Sequence, residues 1–294
     1  SFTVIEESGR IDVKIDTFIV ANTEGIVSIW DNTDYPLQFK MVKSDVRSSS
    51  LVDGGSTDPV EYKMYYLLIN EGGGASTTRF DSTFVSYRGW KLNNEQFDIN
   101  NTPSWFTFPS LSQGQSSFIS GFRQFLPLLK AAQSFAVGSD GDISYNNYGV
   151  GVLFLPSGLA YYNRSQSNIP AYSPLVFTAR LHSVNENDHD RDGILSKYEN
   201  GNGAEDLYSV DTDGDNIPDF LDIDDDNDNV RTILETRFTY VNSQGVTVNG
   251  QYPFNGASVD NPETPFDDTL GIPNCAGDFT SPTRLRKHLD ASCQ

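Results

Sequence analysis

Carboxylates fall at nearly every second position between Asp211 and Asp228, in the run DTDGDNIPDFLDIDDDND. Charges of one sign held that close repel one another, so the spacing asks for a partner. Alternate carboxylates turn inward around one hard cation, each oxygen at about 2.3–2.6 Å. The fullest instance lies upstream, in DHDRDGILSKYE. There Asp188, Asp190 and Asp192 take loop positions 1, 3 and 5, Gly193 takes the sharp turn at position 6, and Glu199 closes at position 12. Position 7 needs only a backbone carbonyl, so Ile194 serves. This is the complete pattern of a twelve-residue calcium loop. It recurs from Asp211, with Asp213 and Asp215 at 3 and 5, Ile217 at 7, Asp219 at 9 and Asp222 at 12. It recurs again from Asp224, with Asp226 and Asp228 at 3 and 5, Val230 at 7 and Glu235 at 12. Asn216 and Asn229 replace the position-6 glycine, and asparagine tolerates left-handed backbone better than most side chains.

Between Asn185 and Glu235 seventeen acidic residues face three basic ones, so this segment carries most of the chain's formal charge of −20. Composition alone describes a solvated acidic linker; three EF-hand-type loops in so short a stretch overrule it. The connecting NIPDFLD leaves no room for flanking helices, and the segment resembles thrombospondin type 3 repeats. That resemblance implies about three structural calcium ions acting as the core the segment otherwise lacks. Extracellular loops of this kind bind at roughly 10⁻⁴–10⁻³ M, which suits a calcium-rich exterior.

The elements upstream are of another kind. EYKMYYLLIN reads as a strand with EGGG as its exit turn. STFVSYRGW alternates, SWFTFPS and YGVGVLFLP follow, and PLVFTARLHSV closes the block. One helix candidate, SGFRQFLPLLKAAQ, puts Phe122, Phe125, Leu126 and Leu129 on one face. Pro127 inside it removes a hydrogen bond, so the helix is expected to be short or kinked. The class is α+β: an antiparallel half-barrel sheet wrapped on one short helix, followed by a calcium-stabilised, mostly irregular extension.

Four ordered motifs in this block resemble the FKBP-type peptidyl-prolyl cis–trans isomerases, as found in bacterial extracytoplasmic proteins. VSYRGWKLNNEQFD is similar to that family's tyrosine-glycine strand and phenylalanine-aspartate pair. FTF…FISGF is similar to the pocket strand leading into the central helix, FLPSGLAYY to the segment ending at the second pocket tyrosine, and IPAYSPLVFTARL to the flap and last strand. The resemblance implies a pocket of Tyr87, Phe97, Asp98, Phe106, Phe118, Ile119, Phe122, Tyr161, Ile169 and Phe177. It further implies that Phe97, Phe122 and Phe177 wall a proline ring, that Tyr161 and the Ile169 amide bond substrate carbonyls, and that Tyr87 and Asp98 set polarity at the amide. The chain departs from the family in four places. Phe122 stands where tryptophan is usual, Tyr162 replaces a glycine, residues 135–147 lengthen a connection, and FDINNTP lacks a basic residue. These departures bear on substrate range and efficiency more than on fold.

The chemistry agrees. Rotation about an X–Pro bond takes tens to hundreds of seconds because the amide must lose conjugation. A pocket that suits the twisted amide better than the planar one lowers that barrier without nucleophile or metal.

The remaining sequence sets bounds. The 294 residues, 37% hydrophobic and 12% aromatic, are ample for a core. The acidic balance argues against nucleic acid and anionic membranes, and no apolar run reaches the roughly 18 residues of a transmembrane helix. SFTVIEESGR shows no signal peptide, and a lipid anchor upstream of Ser1 is compatible with it. Cys275 and Cys293 are the entire cysteine content and close either as one disulfide or stay as two thiols; an extracytoplasmic setting (periplasmic, outer-membrane-attached or cell-surface) favours the bond. Residues 1–58 read as a strand-rich extension, with IDVKIDTFIV, GIVSIWDN and the turn-rich SSSLVDGGSTDP. The isomerase-like block is 59–184, the repeats 185–235 and a Pro-, Asn- and Gly-rich tail 236–294. His182, His189 and His288 are scattered, and NRS at Asn163 fits a glycosylation sequon. The leading function is an extracytoplasmic prolyl isomerase that helps proline-containing clients fold. The alternative is a surface interaction protein using a catalytically weak domain of this type as a proline-binding platform.

Overall fold

A computed structural model describes residues 2–7, 10–15, 29–44, 59–109, 118–200 and 208–293. The turn-rich link at 48–59 lies almost wholly outside these residues, and IDVKIDTFIV and GIVSIWDN are described only in part. The chain divides into two units, Ser1–Glu186 and Asn187–Gln294.

The first unit is built on a six-stranded sheet. Its strands are β3 (Gln38–Lys43), β4 (Glu61–Asn70), β5 (Ser82–Lys91), β6 (Gln96–Thr107), β9 (Gly149–Leu155) and β10 (Leu175–Asn185). They lie in the order β3-β4-β9-β10-β5-β6, every neighbour antiparallel. Both faces of the central strands β9 and β10 are covered; β9 reads as an unbroken apolar run, whereas β10 carries buried Thr178, Arg180 and His182 among its apolar residues. On one face Leu153, Leu155, Phe177, Ala179 and Leu181 join Phe122, Phe125 and Leu126. On the other, Val150, Val152 and Val176 pack with Leu67, Tyr148 and Val13. Val13 belongs to a hairpin, β1 (Phe2–Glu7) and β2 (Arg10–Ile15). Tyr148 Oη ties that hairpin down, accepting from Ile11 N (3.1 Å) and donating to Ile11 O (2.9 Å).

Helix α1 (Ser120–Phe125) is short, and every one of its residues is buried. It tightens into a 3₁₀ turn over Leu126–Leu128, because Pro127 has no N–H to continue the α ladder. Gly151 on β9 makes room for the helix: a Cβ there would stand 2.6 Å from Phe125 Cζ.

Two details differ from the sequence reading. The strand expected at SWFTFPS begins earlier, since β6 runs from Gln96 and absorbs the Phe97–Asp98 pair; irregularities against β5 at Val85/Tyr87 and Gly89/Trp90 let it do so. The long connection at 135–147 is an exposed hairpin, β7 (Ser134–Val137) with β8 (Ile143–Asn146).

The second unit holds the three acidic loops, a four-residue helix α2 (Thr232–Glu235) and a hairpin, β11 (Arg237–Val241) with β12 (Thr247–Gln251). The tail is therefore less irregular than its composition suggests. Phe238, Tyr252, Phe266 and Phe279 form an aromatic cluster with centroids 4.9–5.7 Å apart. Cys275 and Cys293 are bonded, their Cα atoms 5.3 Å apart. Ile194, Phe220 and Ile272 are the unit's fully buried apolar side chains among the described residues.

Candidate functional site

The aromatic residues converge where β5, β6, α1 and β10 meet. Phe106, Phe118 and Phe122 stack as a column, with centroids 3.7 and 4.1 Å apart. Tyr87 meets Phe118 and Phe122 edge-on at 5.4 and 5.7 Å, and Phe177 meets Phe122 at 5.2 Å and 85°. Such edge-to-face contacts suit the ring quadrupoles and fix each ring's tilt. Together they bound a cavity of about 370 Å³, with Ile119, Ala160 and Tyr161 on its apolar side and Asp98, Arg123, Arg164 and Gln166 supplying polar groups.

Polarity is concentrated at one place. Tyr87 Oη donates to Asp98 Oδ2 at 2.9 Å. Burial first, and then this bond to a carboxylate, push the Tyr87 hydroxyl well above the ordinary range, so it stays a donor. The Tyr161 hydroxyl is raised too, by burial first and then by the nearby Asp98 charge.

Eight of the ten residues inferred for the pocket line it: Tyr87, Asp98, Phe106, Phe118, Ile119, Phe122, Tyr161 and Phe177. Phe97 stands behind Phe177, edge-on at 5.5 Å. Ile169 is buried, and its N–H donates to the Gln166 carbonyl at 3.2 Å across a tight bridge. In this state, then, the amide assigned to a substrate carbonyl is already engaged, because the segment folds back on itself there. Tyr162, which replaces the family's glycine, sits at φ +51°, a left-handed conformation glycine adopts at less cost. Arg123, Arg164 and Gln166 were not legible. A stripe argument looks for apolar residues on one helix face, whereas all of α1 is buried and Arg123 satisfies itself on the Phe118 carbonyl.

The second site is the loop array. In each loop the three alternating aspartates bring one oxygen apiece within 4.8 Å of the others: Asp188, Asp190 and Asp192; Asp211, Asp213 and Asp215; Asp224, Asp226 and Asp228. One backbone ladder repeats. The position-5 N–H donates to the position-3 carboxylate at 2.9–3.2 Å. The position-7 N–H, of Ile194, Ile217 or Val230, donates to position 5 at 2.7 Å. Positions 4 and 6 of all three loops have positive φ: Arg191 and Gly193, Gly214 and Asn216, Asn227 and Asn229, between +55° and +96°.

Asp219, at position 9 of the second loop, also makes a clasp that its spacing did not show. Both of its oxygens are held by Thr212, from N (2.7 Å) and Oγ1 (2.8 Å). Ser196 and Thr232 make the corresponding clasp from position 9 to the position-2 N–H, at 3.1 and 3.2 Å. Position 9 therefore closes each loop.

Of the position-12 residues, Asp222 accepts from Asp224 N at 3.0 Å. Glu235 and Glu199 have no hydrogen-bond partner for either carboxylate oxygen. The same holds for Asp190 Oδ2, Asp192 Oδ2, Asp213 Oδ2, Asp226 Oδ2 and Asp228 Oδ2. Burial, aided by neighbouring carboxylates, pushes Glu235 up to about 8, Asp225 to about 10 and Glu199 to about 12. Buried carboxylate oxygens without donors are costly, and an all-oxygen donor set suits a hard cation such as calcium. Asp225, which groups with Asp192 and Glu199, escaped the sequence reading because position 2 faces away from its own loop's aspartates.

Comparison with known proteins gives a partial picture. The family model described as BamM C-terminal matches residues 189–266. A search of curated proteins finds no match. Among solved structures, a peptidyl-prolyl cis-trans isomerase from Pseudomonas syringae pv. tomato aligns at 22% identity and a TM-score of 0.33, over 42% of this chain and 76% of that one. FkpA from Escherichia coli aligns at 23% and 0.32, over 41% of this chain and 47% of its own length. The N-terminal domain of FKBP42 from Arabidopsis thaliana aligns at 15% and 0.33, over 46% and 95%. Among the described residues no helix is long and apolar enough to cross a membrane.

Proposed function

We propose that residues 59–184 are a peptidyl-prolyl cis–trans isomerase of the FKBP type, working outside the cytoplasm on proline-containing polypeptides. The reading is carried by the aromatic cavity, in which a column of three phenylalanines is closed by Tyr87 and Phe177 and touched at one edge by the Tyr87–Asp98 pair. A pyrrolidine ring is apolar and small enough for a cavity of about 370 Å³. Its burial leaves the preceding amide beside the Tyr87–Asp98 pair, where a twisted, less conjugated carbonyl is favoured over the planar ground states.

The acidic loops, on this proposal, hold structural calcium. Asp188, Asp190, Asp192 and Glu199 serve the first ion, Asp211, Asp213, Asp215 and Asp222 the second, and Asp224, Asp226, Asp228 and Glu235 the third. Calcium supplies no chemistry to the isomerisation; it neutralises the carboxylates and fixes the loops. Calcium-type loops beside a disulfide support an extracytoplasmic setting.

The test is a protease-coupled isomerisation assay on proline peptides, run with calcium and with chelator. Turnover above the uncatalysed rate in both conditions supports the reading. Peptide binding without turnover supports the second reading, a proline-binding platform, which the engaged Ile169 amide favours. Neither binding nor turnover removes both.

A further inference from the structure

The third loop carries one carboxylate that its own ion does not use. Asp225 stands at position 2 of residues 224–235, where its backbone N–H donates to Thr232 Oγ1 at 3.2 Å and so closes that loop. Its side chain goes elsewhere. One oxygen each from Asp225, Asp192 and Glu199 lies within 4.8 Å of the other two. Asp192 and Glu199 are positions 5 and 12 of the first loop.

A group of acidic side chains is not a site in itself, and exposed ones commonly pair with nothing. These are not exposed. Asp225 and Asp192 retain 1% of their accessible surface and Glu199 retains 7%. Both oxygens of Asp225, both of Glu199 and Oδ2 of Asp192 have no hydrogen-bond partner. Two buried carboxylates with all four oxygens bare and facing a third are costly to hold ionised, and either a cation among them or bound protons must offset that cost. A converging set of carboxylate oxygens suits calcium, a hard cation that takes oxygen ligands in flexible geometry.

We infer that Asp192, Glu199 and Asp225 together hold a calcium ion that fastens the first loop to the third. This deepens the calcium reading and rests on it. The first and third loops are then one binding unit, although the whole of the second loop separates them in sequence, and losing the Asp225 carboxylate loosens residues 188–199.

The experiment is the full chain carrying Asp225→Asn, which keeps the shape and removes the charge. Calcium titration and region-resolved hydrogen exchange are read with calcium and with chelator. With calcium, the substitution should weaken one binding step at least about tenfold, as removal of a charged ligand does, and speed exchange at 188–199. With chelator it should slow exchange there, because the fold no longer has to bury the Asp225 carboxyl at the cost of a repelled charge or of proton uptake. That inversion of sign separates an ion ligand from a residue that merely packs. An equal change of the same sign in both conditions overturns the inference, as does an unaltered titration with unaltered exchange at 188–199.

Should Asp225→Asn fail to fold, Glu199→Gln makes the reciprocal test. A first-loop change must speed calcium-bound exchange at 225–232 in the third loop, and unchanged exchange there overturns the link. Wild-type protein that takes up no calcium overturns the parent reading instead, and that result is distinct from wild-type uptake that Asp225→Asn leaves untouched.

Discussion

The pocket depends on what Gly89 leaves out. A Cβ at that position would lie 2.7 Å from Phe97 Cζ and 2.8 Å from Phe177 Cε1, so the two rings share space that only glycine concedes. Gly89→Ala should force both rings aside, lowering stability by about 1–3 kcal/mol as overpacking does. Turnover should fall further than the stability loss explains, because Phe177 is a wall of the cavity; thermal unfolding and the isomerisation assay read the two effects separately. Tyr87→Phe asks the complementary question. It keeps the ring and removes only the hydroxyl that Asp98 accepts at 2.9 Å. Stability should change by no more than about 1 kcal/mol, while turnover drops; full activity in this variant would remove the Tyr87–Asp98 pair from the mechanism. At this scale most of the lining was legible through the family resemblance, whose four ordered motifs imply eight of the residues that line the cavity. Arg123 was not. A guanidinium enclosed with its own turn's carbonyl leaves no mark in a pattern of apolar spacing. Nor was Asp225, whose partners are Asp192 and Glu199 of a different loop.

Among the elements, the acidic loops show most clearly what spacing can and cannot say. The alternation of Asp at 1, 3 and 5 placed every carboxylate that the three short ladders bring together. At position 9 of the second loop, spacing could not show the Thr212 clasp on Asp219, because the ligand pattern and that clasp call for the same residue. The β11–β12 hairpin was missed for a compositional reason. RFTYV and TVNGQ alternate, and Gly245 turns at φ +76°, but surrounding Asn, Gly and Pro hid the period. Conversely, Asn216 at φ +77° is where the asparagine-for-glycine exchange predicts it. Asn216→Val should cost the second loop about 1–2 kcal/mol through its left-handed backbone. Asn216→Gly should be close to neutral, since relief of strain offsets added freedom in the unfolded chain. Calcium affinity of the second loop, followed by titration, should track the same order; equal affinity in all three proteins would mean that the backbone at position 6 does not limit binding.

For the whole molecule, the two units should answer pH in opposite directions once calcium is removed. In the calcium-free second unit, burial raises Glu235 to about 8, Asp225 to about 10 and Glu199 to about 12. An unfolded chain ionises the same groups near pH 4. Between those limits the folded unit holds protons that the unfolded chain releases, so stability is greatest at low pH and is lost as pH rises. His288, kept neutral by burial with its value lowered to about 3, works the other way, but as one proton against at least three. The first unit contains the reverse case. His182, bonded to Ser86 Oγ at 3.0 Å, is lowered to about 4 by burial and then by Arg180. It is neutral when folded and gains a proton on unfolding below about pH 6.5, so its contribution is present at neutral pH and lost on acidification through pH 4. In chelator, taking the protein from pH 8 to pH 5 should therefore protect residues 188–235 from hydrogen exchange while exposing β5 and β10. With calcium the second slope reverses, because protons then compete with the ion for the same oxygens, and both units lose protection on acidification. Isomerase turnover at neutral pH should survive chelation, since the first unit has its own apolar core on both faces of the sheet. If chelation instead abolishes turnover, or if calcium leaves the pH slope of residues 188–235 unchanged, then the loops are not the independent, cation-neutralised unit that their carboxylates describe.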